Sequence, residues 1–193
     1  KFEKKWDMYH CPLKAKQSGG YDVVMASGML GYLLPQKIGD TEQKYIAELA
    51  DEKLWTDCVA SIESSLMTFV RHGIDLKVKE YMFTLMLADP SSPYSVMNDG
   101  YCGDGGIPGY IFGSLVPSET TKTRIPVVLA HETNHNVRFQ YIKWSNEISL
   151  AEYMICEGLA ENFAVKLYGE ENLGPWVSKT DQEMLNEYIK PLI

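Results

Sequence analysis

The chain has 193 residues, 45% hydrophobic and 23% charged, the proportions of a globular domain long enough to bury a core. Lys+Arg total 18 against Asp+Glu 26, a formal net charge of -8, which argues against a nucleic-acid partner because an acidic surface repels phosphates. No run reaches the roughly 18 apolar residues of a membrane span, and the cysteines Cys11, Cys58, Cys102 and Cys156 form no C-x-x-C pair, which argues against a cysteine zinc site.

Those cysteines read as reduced thiols, and KFEKKWDMYH at the start lacks the apolar core of a signal peptide. A cytoplasmic location is the expectation. A removed leader stays open because the chain begins at Lys1.

In chain order, YDVVMASGMLGYLL (21–34) is apolar nearly all round and predicts a buried helix stopped by Pro35. TEQKYIAELA (41–50) predicts a second helix, although Thr-x-x-Lys lacks the acid of a capping box. LWTDCVASIESSLMTFVRHG (54–73) has helical apolar spacing and ends on Gly73. VKEYMFTLMLAD (78–89) predicts a strand. The turn-rich ADPSSPYSVMNDGYCGDGGIPG predicts a long loop, and GYIFGSLV (109–116) a second strand, at a sheet edge because Pro108 precedes it.

Helices return in the last third. RIPVVLAHETNHNVRFQYIKW (124–144) has Thr123 as a candidate N-cap and Pro126 in the first turn. LAEYMICEGLAENFAVKLY (150–168) carries the capping box Ser149 to Glu152 and stops at Gly169. A final helix is expected over about 180–189. The chain divides into an N-terminal helical region, 1–74, and a second region, 75–193, within one compact unit.

The chemistry concentrates in His131-Glu132-Thr133-Asn134-His135, an HExxH pattern on a predicted helix. One helical turn puts His131 and His135 on one face, where both imidazoles reach one zinc ion. Glu132 sits about 100° around the helix, beside the metal, where a carboxylate accepts a proton from an activated water. The alternative is a surface helix with two solvated histidines. IPVVLA and VRFQYI, the apolar flanks, argue against it, because buried polar groups need partners.

A catalytic zinc takes three protein ligands and keeps one position open. The next helix offers Glu157 and Glu161, one turn apart in EGLAE and flanked by Met154, Ile155, Leu159, Ala160, Phe163 and Ala164, which predicts a largely buried helix. Gly158 reads as the point where that helix meets the HExxH helix closely. Glu157 is the favoured third ligand. Glu161 suits the outer role of accepting from a ligand histidine's free nitrogen, and Glu152 is spoken for by the cap.

Weaker signals surround this set. The strand 109–116, with Tyr110 and Ile111, can take an extended substrate by strand addition. Arg138 can bind a substrate carboxylate or pair with an acid such as Glu161. Tyr110, Tyr141 and Tyr153 can each donate to an oxyanion. Cys102 reads as a structural thiol before a reactive one. His72, at a helix end, suits the helix dipole.

HETNHNVR followed by LAEYMICEGLAENFAVKLYGEENLGPW resembles the YjaZ-like family of predicted zinc-dependent proteases. The likeness runs from about residue 100 to 176 and takes in GYIFGSL, Arg138, Gly169, Pro175 and Trp176. EGLAE is also similar to the glutamate-bearing helix of the gluzincins. The resemblance implies Zn2+ held by His131, His135 and Glu157, with Glu132 as general base and Glu161 outside the ligand set. It implies an α+β, zincin-like fold: a small, mostly antiparallel sheet packed on the HExxH helix and the following glutamate-bearing helix, with an added N-terminal helical region. Members of that family continue past Pro-Trp into a tyrosine- and glycine-rich segment, whereas WVSKTDQEMLNEYIKPLI follows here, so the resemblance assigns no oxyanion donor.

The expected function is a metallopeptidase acting on peptide or protein substrates, with neither nucleic acid nor a membrane span involved. A zinc-binding protein of the same fold that acts by binding a protein partner is the second reading. A non-metal helical module with a chance motif is the third.

Overall fold

The computed structural model describes residues 31–145 and 147–189, and its fold is α+β. The elements in order are α1 (Asp40–Glu48), α2 (Glu52–Arg71), β1 (Met82–Leu87), α3 (Pro93–Met97), β2 (Tyr101–Ile107), β3 (Tyr110–Leu115), α4 (Glu119–Arg138), α5 (Leu150–Tyr168), α6 (Pro175–Ser178) and α7 (Gln182–Ile189). Short 3-10 turns lie at Pro35–Lys37 and Glu170–Asn172. Among the described residues no helix is long and apolar enough to cross a membrane.

Local chemistry sets most helix ends. The Asp51 carboxylate caps α2 by accepting from the Lys53 N–H at 2.9 Å. α5 starts on the expected box: Ser149 Oγ accepts from the Glu152 N–H at 3.2 Å, and Glu152 Oε2 accepts from the Ser149 N–H at 2.8 Å. α1 starts one residue before Thr41, because Glu42 reaches back to the Gly39 N–H at 2.9 Å. His72 closes α2 as its C-cap.

α4 departs from expectation. It begins after Ser118, not Thr123, because Ser118 and Thr121 exchange backbone-to-side-chain bonds at 2.9 and 3.1 Å. Pro126 therefore sits inside the helix, where its ring removes one backbone donor. Its carbonyl instead accepts from Ser61 Oγ of α2 at 2.5 Å, which ties the two helices together.

The sheet also corrects the sequence reading. It has three strands in the order β1-β3-β2, so the strand expected at an edge is central. β1 pairs β3 in parallel and β2 pairs β3 antiparallel, a mixed sheet rather than a mostly antiparallel one. Pro108 does not interrupt it, because Pro108 lies in the β2–β3 turn with Gly109 at φ +86°. The expected long loop contains α3 and all of β2. Residues 32–34 are extended, with Tyr32 bridged to Ala88 and the Leu33 N–H on the Leu87 carbonyl at 2.9 Å. The remainder of the expected first helix, with His10 and Cys11, lies outside the described residues.

α4 is the hub, in contact with α2, α5, β2 and β3. The core joins Leu54, Cys58 and Ile62 of α2 to Leu85, Ile111 and Leu115 of the sheet and Ile125, Val128 and Leu129 of α4. Cys58, Cys102 and Cys156 are buried and none is joined in a disulfide. α5, expected to be largely buried, packs through a narrow stripe of Cys156, Ala160, Glu161 and Ala164 and leaves Leu150, Met154, Ile155 and Leu159 exposed. Apolar composition overstated its burial, because an exposed leucine or methionine on a helix is ordinary.

The close approach expected at Gly158 lies elsewhere. A Cβ at Gly158 would meet nothing within 4 Å. On β2, a Cβ at Gly103 would overlap the Glu132 side chain, and one at Gly105 would overlap the Glu132 carbonyl oxygen. The two substitutions should therefore have opposite signs. Gly105→Ala should destabilise by about 1–3 kcal/mol or more, since β2 must move off α4. Gly158→Ala should stabilise by about 0.5–1 kcal/mol as an ordinary helix substitution. Urea unfolding of both variants checks the contrast; a Gly105→Ala chain as stable as the parent would contradict the contact.

Candidate metal centre

The imidazoles of α4 and a carboxylate of α5 converge on one point. His131 Nε2 and His135 Nε2 are 3.0 Å apart, and Glu157 Oε2 lies 3.4 Å from the first and 3.5 Å from the second. A tetrahedral ion with bonds of about 2.0–2.1 Å holds its donors about 3.3–3.4 Å apart. The three atoms thus outline one face of such a tetrahedron. Both histidines are buried, and the Glu157 side chain is 40% exposed.

The outer nitrogens favour the same use. His131 Nδ1 lies 3.0 Å from Glu161 Oε2. A carboxylate only accepts, so Nδ1 carries the proton and Nε2 keeps its lone pair. Glu161 is held in turn: the Gly174 N–H donates to Oε1 at 2.7 Å and Trp176 Nε1 donates to Oε2 at 3.0 Å. The Trp176 ring also stands edge-on to His131, with centroids 5.8 Å apart. With both Nε2 lone pairs turned inward at 3.0 Å, the pair repels itself unless a proton or a cation lies between. The donor set of two imidazoles and a carboxylate suits zinc.

The electrostatics point the same way. Burial would depress His131, but its bonds to Glu157 and Glu161 raise it to about 9. Burial is likewise overcome at His135 by Cys156 and Glu157, which raise it to about 10. Burial would raise Glu157, yet the two histidines hold it at about 2. Glu161 is also held low against burial, chiefly by His131 and the Gly174 N–H.

Glu132 is buried beside this cluster, with its carboxyl raised by burial against the pull of His131 and His135 and a bond from the Gly105 backbone. Asp104 of β2 stands nearby. Burial and the Glu132 carboxylate push it up to about 7.

Other expected residues fall away from the cluster. Tyr110 and Ile111 lie in the central strand, paired to Met82 and Phe83 on one side, and Ile111 is fully buried. Strand addition cannot occur at β3, which is paired on both sides; the edge strands are β1 and β2, and β2 is the one against Glu132. Arg138 lines an apolar groove with Phe69, Ile74, Val137, Tyr141 and Leu159. Glu161 is committed elsewhere and is not its partner. The Tyr141 hydroxyl bonds the Asp75 carbonyl. Tyr153 stands one turn before Glu157, and burial and then Glu157, Cys156 and Glu132 push its hydroxyl up. Cys102 is buried in β2, and burial and Glu132 push its thiol up to about 12, as befits a structural thiol.

Four residues escape sequence reasoning. Gly103 and Gly105 admit α4 to the sheet. Tyr94 of α3 lies in the field of Cys102, Glu132, Asp104 and Tyr153. Asn136, fully buried, accepts from the Gly109 N–H at 2.9 Å and donates to the carbonyls of Gly105, Ile107 and Tyr110 at 3.0, 2.8 and 2.9 Å. It clasps the β2–β3 turn to the HExxH helix. The only sequence sign of it is an asparagine between the second histidine and Val137.

A family model described as Predicted Zn-dependent protease (DUF2268) matches residues 54–193. A Bacillus subtilis (strain 168) protein, Uncharacterized protein YjfC, is 40% identical over 189 residues. That alignment covers 97% of this chain and 62% of the relative, so the chain spans less than two thirds of the relative's length. No solved structure matches.

The clasp generates a prediction. Asn136→Ala strands several buried backbone groups, each costing about 1–3 kcal/mol, and should destabilise the chain by about 3 kcal/mol. Denaturant unfolding reads the loss. A change under about 0.5 kcal/mol would mean that water or a rearranged turn replaces the side chain.

Proposed function

The chain belongs to the family of predicted Zn-dependent proteases, and from that premise we propose a zinc metallopeptidase in which His131, His135 and Glu157 hold the ion and Glu132 is the general base. The observation that carries the reading is the triangle of Nε2, Nε2 and Oε2 atoms, sized for a tetrahedral ion. Within the family we read the chain as YjaZ-like, and as gluzincin-like in its order of ligands, on the strength of HETNHNVR and EGLAE. The pair of helices beside a small sheet supports a zincin-like description.

Zinc bound there supplies Lewis acidity, polarising the scissile carbonyl and making a water more acidic. Glu132 accepts the water's proton and passes it to the leaving amine. Glu161 holds His131 in the ligating tautomer. The free edge of β2, ending beside Glu132, offers backbone groups to an extended peptide, the role first assigned to Tyr110 and Ile111.

Two outcomes test this. The chain should bind about one zinc, His135→Ala should abolish stoichiometric binding, and Glu161→Gln should weaken it about 10–100-fold while Glu157→Gln costs more. Elemental analysis and chelator competition read all three, and a His135→Ala chain that keeps its zinc removes the ligand assignment. Second, Glu132→Gln should keep zinc and fold and lose about 10²–10⁴ in peptide turnover. A zinc-loaded wild type that cleaves nothing in a broad peptide set, with or without chelator, would favour the partner-binding reading.

A further inference from the structure

The two ligand imidazoles are held by different chemistry. Glu161 takes the outer nitrogen of His131, and the Sγ of Cys156 lies 3.4 Å from Nδ1 of His135. We propose that Cys156 is a positioning residue for the metal site: its sulfur accepts the His135 Nδ1–H and keeps Nε2 free to ligate. The proposal rests on the zinc-site reading above.

A neutral imidazole has one N–H. For Nε2 of His135 to face Glu157 Oε2 and His131 Nε2 as a lone-pair donor, the proton must be on Nδ1. Both His135 and Cys156 are buried, with Cys156 3% exposed, so water is a poor substitute acceptor. An orphaned N–H there would cost free energy, and it would favour the tautomer with its proton pointing into the ligand triangle. Sulfur is a weak acceptor, but a sufficient one for a bond that has no competitor.

Charge explains why the acceptor is not another carboxylate. Glu132, Glu157, Glu161 and Asp104 already crowd the two histidines. A further buried carboxylate would repel them at short range. A thiol gives a lone pair without a formal charge. Its place on the helix is also fixed, since Cys156 heads the buried stripe of α5 and directly precedes Glu157, so one turn of α5 delivers both the ligand and the partner of the opposite ligand.

The test uses Cys156→Ser, which keeps an acceptor, and Cys156→Val and Cys156→Ala, which remove it while bracketing the volume. Zinc affinity of each metal-depleted chain is measured by chelator competition, beside the thermal stability of the metal-free form. Val and Ala should each weaken zinc by about 10-fold, the lower end of the effect of an outer partner, with Ser within about threefold of wild type. A packing role alone would follow volume: Val would bind zinc like wild type, and the stability of the metal-free chain would change instead. That result, or Ser losing as much as Val, overturns the proposal. Should Val fail to fold, the Ser–Ala comparison decides alone. A wild-type chain that takes up no zinc brings down the metal-site reading and this role with it, whereas a binding wild type matched by Val brings down only the role of Cys156.

Discussion

The site depends on one contact, the backbone of β2 lying against the Glu132 turn of α4. Residues 103 and 105 must lack a Cβ for it to exist, because any side chain there would occupy the volume of Glu132. The contact fixes the rotation of α4 about its own axis. A slip of one residue would turn the helix by about 100° and carry the histidines off their shared point. One turn beyond, Asn136 locks the same hairpin to the same helix through its bonds to residues 105, 107, 109 and 110. Steric fit on one side and saturated hydrogen bonding on the other hold the imidazoles before any ion binds. Such prior ordering is what a metal site requires of its scaffold.

Charge follows from that geometry. Four carboxyl groups, Glu132, Glu157, Glu161 and Asp104, gather around two imidazoles in a region largely closed to water. The shifts share a cause. The histidines are driven up because they are the positive charge on offer. Glu157 is driven down because it faces both of them. Asp104 is driven up by burial first and then by Glu132, a like charge. A region this short of cations binds protons in the absence of anything better. A divalent ion in the same place would meet the same field with fewer particles.

The reading of the sequence succeeded where a short repeat fixes geometry. HETNH and EGLAE lie on helices whose periodicity sets which side chains share a face, and the structure brings His131, His135 and Glu157 of those two motifs together. The Ser149 box and the stop at Gly169 are equally local. It failed where meaning resides in a distant partner. NDGYCGDGGIPG looks like a loop because glycine has little strand propensity, yet its glycines make a strand that a helix can approach. Gly158 looks like a contact and faces open space. Pro126 looks like a first-turn residue because nothing in IPVVLA reveals that Ser118 has already begun the helix. The order of strands depends on pairings between segments far apart, so Pro108 misled about the edge. The Pro-Trp pair entered only through resemblance; its physical role, closing over Glu161, needed the fold.

Burial then separates two glutamates that share one face of α5. Glu157 and Glu161 sit one turn apart on α5, but the Gly174–Trp176 segment folds back over the second and not the first. Glu161 becomes a fixed acceptor, and Glu157 keeps an open flank, its side chain 40% exposed. The accessible side of the cluster therefore lies toward the N-terminal half of α5. Tyr153 stands on that side, one turn before Glu157, and Tyr94 of α3 shares with it the field of Glu132. Burial pushes both hydroxyls up, so both stay protonated donors at neutral pH.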